Sequence, residues 1–250
     1  MRRTWLILSA ALALGACGRH AANNATAANA LSAPTNAAAV APPTPSPRLA
    51  KIFTPDVLGS NVAFLETITG PAFRTDGSEL TYKVDGCTVI VGATAGKIDN
   101  IGIENYGPAC NFPIAQYFAG GYDHPVPALP TFGDIQRGLG GDYAATCLHL
   151  CGNAMDPILS LTYQGSHADN FNNLYAATPL ADDASINASI VWERALAARY
   201  GESALEDSTA SLPDSLQAIA DPAFAPLRPT EIRVGDKLPG SGTDSGAGAE

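Results

Sequence analysis

Large apolar side chains are almost missing between positions 18 and 49, and this gap limits which parts of the chain can form a core. The stretch is built from Ala, Asn, Thr and Pro and ends in Pro42, Pro43, Pro45 and Pro47. It cannot bury enough surface to offset the entropy of ordering it, so it is expected to be a disordered tether. Fully extended, about 30 such residues reach on the order of 100 Å. A core must then come from 50–212, a length that supports one domain or two small units sharing a core. Beyond it, prolines and glycines return. Residues 213–250 read as a mostly mobile tail, in which 230–234 could pack as an edge strand.

Ahead of the tether, Arg2 and Arg3 precede an apolar run at 5–14 and then small residues, the layout of a secretory signal. The run is too short to cross a bilayer as a helix. Leu14-Gly15-Ala16-Cys17 resembles the lipobox of bacterial lipoproteins, in which the cysteine becomes the lipidated first residue of the mature chain. The resemblance implies that 1–16 is a removed signal peptide and that Cys17 carries the lipid. Each buried acyl methylene contributes about 0.8 kcal/mol, so the membrane becomes a partner through the anchor. In that family an aspartate after the cysteine favours the inner membrane. Gly18 stands there instead, which implies the outer membrane, facing the periplasm.

Losing Arg2 and Arg3 leaves 12 Lys and Arg against 24 Asp and Glu, a formal charge of -12. A chain this acidic gains nothing near polyphosphate, which argues against nucleic-acid binding. Anionic headgroups would also repel it, leaving the lipid as the means of attachment.

Disulfides persist in an exported domain. With Cys17 lipidated, Cys87, Cys110, Cys147 and Cys151 remain, and four cysteines allow three pairings. Sequential pairing is favoured. A Cys87–Cys110 bond would tie a loop to a hairpin, a Cys147–Cys151 bond would close a very small loop, and crossed pairing would join two units.

The pattern reads as α+β. Val62, Phe64, Leu65 and Ile68 recur at helical spacing, with Ser60 as the expected N-cap and Gly70-Pro71 as the stop. Leu80, Tyr82 and Val84 alternate, Asp85-Gly86 turns, and Cys87, Val89 and Val91 alternate again before Ile101 and Ile103. The expectation is a helix followed by an antiparallel three-strand meander over 54–110. A second such unit over 131–200 is an open alternative. Phe132, Ile135 and Leu139 fit a short helix there, Leu159, Leu161 and Tyr163 a strand, and Leu80-Thr81-Tyr82 returns as Leu161-Thr162-Tyr163. Residues 166–177 suit either a strand or a helix. An amphipathic helix at 185–200, with Trp192, Leu196 and Tyr200 on one face and Gly201 behind it, is the last element expected. This element order behind a lipobox looks like the fold of the β-lactamase inhibitor protein and of the small lipoprotein of the outer-membrane β-barrel assembly machinery. No binding residue of those proteins maps onto this chain.

Few residues form a constellation suited to chemistry. Cys147, His149, Cys151 and His167 are zinc-ligand types, but their spacing departs from the common modules, and exported thiols are usually oxidised first. No metal or other cofactor is expected. Ser166, His167 and Asp169 hold the residue types of a hydrolase triad, yet chain neighbours do not converge as a triad must, and a polar turn capped by Asp169 and Asn170 is the plainer reading. His149, His167, Asp169 and Asn170 stand as the candidate ligand site. Glu66, Asp99, Glu104, Asp134 and Asp156 could supply a carboxylate pair, but no spacing singles out two. The expectation is a non-catalytic binding or scaffold module of the envelope, with an envelope protein or the cell wall as partner. The alternatives are a periplasmic hydrolase with an acid or histidine site, and a metal-binding protein.

Overall fold

The computed structural model describes residues 44–118, 125–146, 157–167, 172–202 and 214–239. Its first element, α1 (Pro47–Ile52), lies where the tether was expected to run on to residue 49. Proline at the first helical position needs no amide partner, Ser46 accepts from the Leu49 amide, and Leu49 and Ile52 are buried. The Arg48 guanidinium and the Ser46 hydroxyl both bond Asp85 at the tip of a hairpin, so the chain at 46–49 belongs to the fold. Helix α2 (Val62–Thr69) starts one residue later than expected, with Asn61 at the cap position. The Ser60 hydroxyl instead donates to the Val57 carbonyl. Gly70, at φ 82°, ends the helix.

Four antiparallel strands follow: β1 (Arg74–Asp76), β2 (Glu79–Val84), β3 (Cys87–Thr94) and β4 (Lys97–Glu104). The β2–β3 turn holds Asp85 and Gly86 both at positive φ, the conformation that matches the twist of a two-residue hairpin. A Cys87–Cys110 disulfide binds the loop after β4 to the start of β3. Closing a loop with sequence separation 23 is worth about 3 kcal/mol by chain entropy. Cys147 and Cys151 lie outside the described residues.

Helix α3 (Phe132–Gly138) opens with a reciprocal capping box between Thr131 and Asp134. Three more antiparallel strands come next, β5 (Asp142–Thr146), β6 (Ile158–Tyr163) and β7 (Asn173–Pro179), so the ambiguous stretch before 177 contributes a strand. Helix α4 (Asp183–Tyr200) is capped by an Asp182–Ser185 box. It is not sharply amphipathic: Trp192 and Leu196 are buried, while Ile186 and Val191 are exposed on its outer side.

The chain beyond Leu212, expected to be a mobile tail, is corrected by two elements. Helix α5 (Asp214–Phe224) buries Ala220 and Phe224, and β8 (Glu231–Gly235) enters the sheet. The strand order is β1-β2-β3-β4-β8-β7-β6-β5. Thus β8 is an interior strand, not the edge strand the sequence suggested. It is stable there because Ile232 and Val234 are wholly buried on one side and every neighbour pairing is antiparallel. The result is an α+β fold on one eight-stranded antiparallel sheet.

Register shows how the core is built. Tyr82, Val89, Ile103, Ile232, Ala176, Leu161 and Tyr143 are successive cross-strand partners from β2 to β5, and all are buried. Side chains from all five helices join them in one apolar cluster. Trp192 meets Phe224 edge-on at 5.2 Å, and Phe53 stacks on Phe112 at 4.2 Å.

Candidate functional site

Because side chains alternate along a strand, the residues that flank the buried row along each strand carry the sheet's other face. There the matching row is Thr81, Ile90, Gly102, Arg233, Tyr175, Thr162 and Asp142. The next row holds Lys83, Thr88, Glu104 and Glu231. The face is polar and glycine-punctuated, and Lys83, Glu104 and Asp142 are exposed on it.

Arg233 is its centre. A Cβ on the facing Gly102 would lie 2.5 Å from Arg233 Cγ, so the absence of a side chain there makes room for the arginine stem. The guanidinium bonds Glu231 on its own strand and, at 2.6 Å, Glu79 on β2. Its side chain is only 10% exposed, which requires that the charge be paired. Burial alone would depress its pKa, but the two carboxylates outweigh that and hold it above the usual value. Tyr175, opposite Arg233, is pushed up to about 12 by burial first and then by Glu231, with Arg233 acting against them.

Beside this network lies a polar pocket of about 300 Å³, lined by Glu79, Gly92, Asp99, Asn100, Arg233 and Lys237 among others. Lys237 donates to Asp99 at 3.0 Å and to Thr94 at 2.9 Å. Asn100 is 3% exposed. Its Nδ2 donates to the carbonyls of Asp236 and Lys237, which fixes the amide's orientation, and its Oδ1 has no hydrogen-bond partner.

Of the candidate ligand site only His167 is among the described residues. His167 lies just beyond β6, whereas Cys17, His149, Asp169 and Asn170 are outside the described residues. Among the described residues no group of three or more His, Cys, Asp and Glu could hold a metal ion. Three of the carboxylates considered for acid–base work have other tasks. Glu66 accepts from Tyr82, Asp134 caps α3 and pairs with Arg137, and Asp99 holds Lys237. Glu104 faces Glu231 across β4 and β8, and Asp156 is outside the described residues.

Sequence reading missed Arg233, Glu79 and Asn100. A signal was present in Glu231-Ile232-Arg233-Val234, where alternation marks a strand with an arginine on its polar side. No family model matches the chain, and no significant match was found among the curated proteins or the solved structures.

Proposed function

We propose that the protein is a non-catalytic binding module of the bacterial envelope, anchored at the outer membrane by acyl chains on Cys17 and facing the periplasm. Residues 18–43 act as its tether, and the polar face of the sheet is its binding side. The occupant is a peptide-bearing component of the envelope. In this reading the helix-plus-meander units on either side of β8 are a repeat, with the likeness to the β-lactamase inhibitor protein and the small barrel-assembly lipoprotein at the level of element order. The observation that carries the proposal is the ion-paired row around Arg233, on a sheet whose other face is committed to the core. Its fixed charges are of both signs, Lys83, Arg233 and Lys237 beside Glu79, Asp99, Glu104 and Glu231. That mixture complements a ligand bearing both signs better than a polyanion.

The test is photo-cross-linking in intact cells, with the reactive residue at Thr81 or Thr162 on the polar face and, as control, at Arg199 on α4. Adducts at the sheet positions and none at Arg199 are expected. Equal labelling everywhere, or at Arg199 alone, refutes the assignment of the face. A Cys17→Ser chain should leave the membrane fraction, and its retention there would refute the anchor.

A further inference from the structure

We propose that the pocket between β2, β4 and the end of β8 binds a small zwitterion, an ammonium and a carboxylate carried by one molecule of one or two residues, as a free amino acid or a dipeptide. The inference rests on the polar face being the binding side and names the chemistry of one site on it.

Two ion pairs border the pocket. Glu79 and Arg233 meet at 2.6 Å over the sheet, and Asp99 and Lys237 at 3.0 Å where β3 turns into β4. An ion of one sign entering here gains from one member of each pair and is repelled by the other. A zwitterion can turn its carboxylate toward the cations and its ammonium toward the carboxylates, so both charges are met at once. The Asp99–Lys237 pair is the movable one. The Lys237 side chain is 45% exposed although Asp99 is only 18% exposed, so the lysine end of the pair is open to solvent and can exchange partners at modest cost. Lys237 also sits at φ 49°, a left-handed conformation uncommon for a lysine, from which its Nζ reaches Thr94 and Asp99.

Asn100, which lines the pocket, also holds an unpaired acceptor beneath its surface. With both Nδ2 hydrogens of Asn100 committed to backbone carbonyls, its buried Oδ1 lacks a donor. An ammonium brings three donors and a carboxylate none, so an ammonium seated beside Asn100 is the end of the ligand that could satisfy this oxygen after a small shift of the amide. A volume of about 300 Å³ lies at the lower end of small-molecule sites, which limits the ligand to one or two residues.

The experiment is calorimetric titration of the detergent-solubilised full chain with alanine and with alanyl-alanine, each in both configurations, and with acetate and methylammonium as single-charge probes. Zwitterions should bind, and the single-charge probes should bind at least tenfold more weakly. Lys237→Gln and Asp99→Asn should each weaken zwitterion binding about tenfold or more without lowering the melting temperature. Preference for alanine over the dipeptide identifies a free amino acid as the ligand, and the reverse identifies a dipeptide. The proposal is overturned if no zwitterion binds, if acetate or methylammonium binds as tightly, or if neither variant changes binding. Cross-linking at Thr81 or Thr162 together with silent titrations would refute the pocket alone and leave the binding face standing.

Discussion

Arg233 can lie against the sheet because position 102 has no side chain. A Cβ there would come within 2.5 Å of the Ile232 carbonyl and 2.9 Å of Arg233 Cα, both backbone atoms that cannot swing aside. Gly102→Ala should therefore cost about 1–3 kcal/mol by overpacking, seen as a lower urea midpoint at unchanged slope. Gly107→Ala is the control: the nearest atom to its added Cβ is 3.9 Å away, and the change should stay within about 0.5 kcal/mol. Equal effects at the two positions would show that the arginine does not depend on the glycine. At this scale the sequence was readable where residues act locally. Asp85-Gly86 makes its turn from its own two torsions, and Cys87 needs a partner only 23 residues away. Arg233 was not readable as a centre, because its partner Glu79 is 154 residues distant and nothing near either residue points to the other.

Sheet edges show how elements are closed off. The amide of Gln217, on α5, donates to the Tyr143 carbonyl at 3.0 Å and accepts from the Tyr143 amide at 2.7 Å. It thus bonds the outer side of β5 as a further strand would. An unpaired edge invites another chain, and here a side chain takes that place. Gln217→Leu removes both bonds, each worth about 1 kcal/mol. The variant should associate with itself as concentration rises, measured by light scattering. A variant that stays monomeric and equally stable would show that the amide does not guard the edge. The opposite edge, β1, is three exposed residues with Arg74 and Asp76 outermost, short and charged enough to discourage pairing without a cap. Strand identity was legible for β2, β3 and β6 from period-two alternation. The element from 173 was not, because its Asn173, Tyr175 and Ala177 face the polar side beside a buried Arg233 and so blur the apolar contrast.

The molecule as a whole is joined through its last strand. β4 pairs with β8 and β8 with β7, so the strands on either side of β8 meet only through it. The sequence could mark 230–234 as a strand. It could not show its place, since interior and edge positions differ by pairings with strands more than a hundred residues and about sixty residues earlier. Protonation also acts on the whole fold. Burial first, then Glu66, lifts Tyr82 to about 12, burial with Glu231 lifts Tyr175 to about 12, and burial raises Tyr106, Tyr117 and Tyr143 further. An unfolded tyrosine titrates near pH 10. Below about pH 10 these phenols are neutral in both states and their contribution is complete. As pH rises through the raised values, the unfolded chain has already released protons that the folded one must keep, so stability falls. Phenolate absorbance should lag behind that of free tyrosine and then rise together with loss of circular dichroism. Independent, early titration of all the phenols would contradict their burial. The β8 junction gives a sharper expectation. A chain ending at Pro226 keeps seven strands and α5 but loses the strand that completes both sheet halves, leaving β4 and β7 with unpaired inner edges. It should lose its single cooperative thermal transition and aggregate. Adding residues 227–239 back as a peptide should restore the transition in a concentration-dependent way, because the missing strand supplies both ladders at once. A truncated chain that melts like the whole protein would show that the two halves are joined by their helices and not by β8.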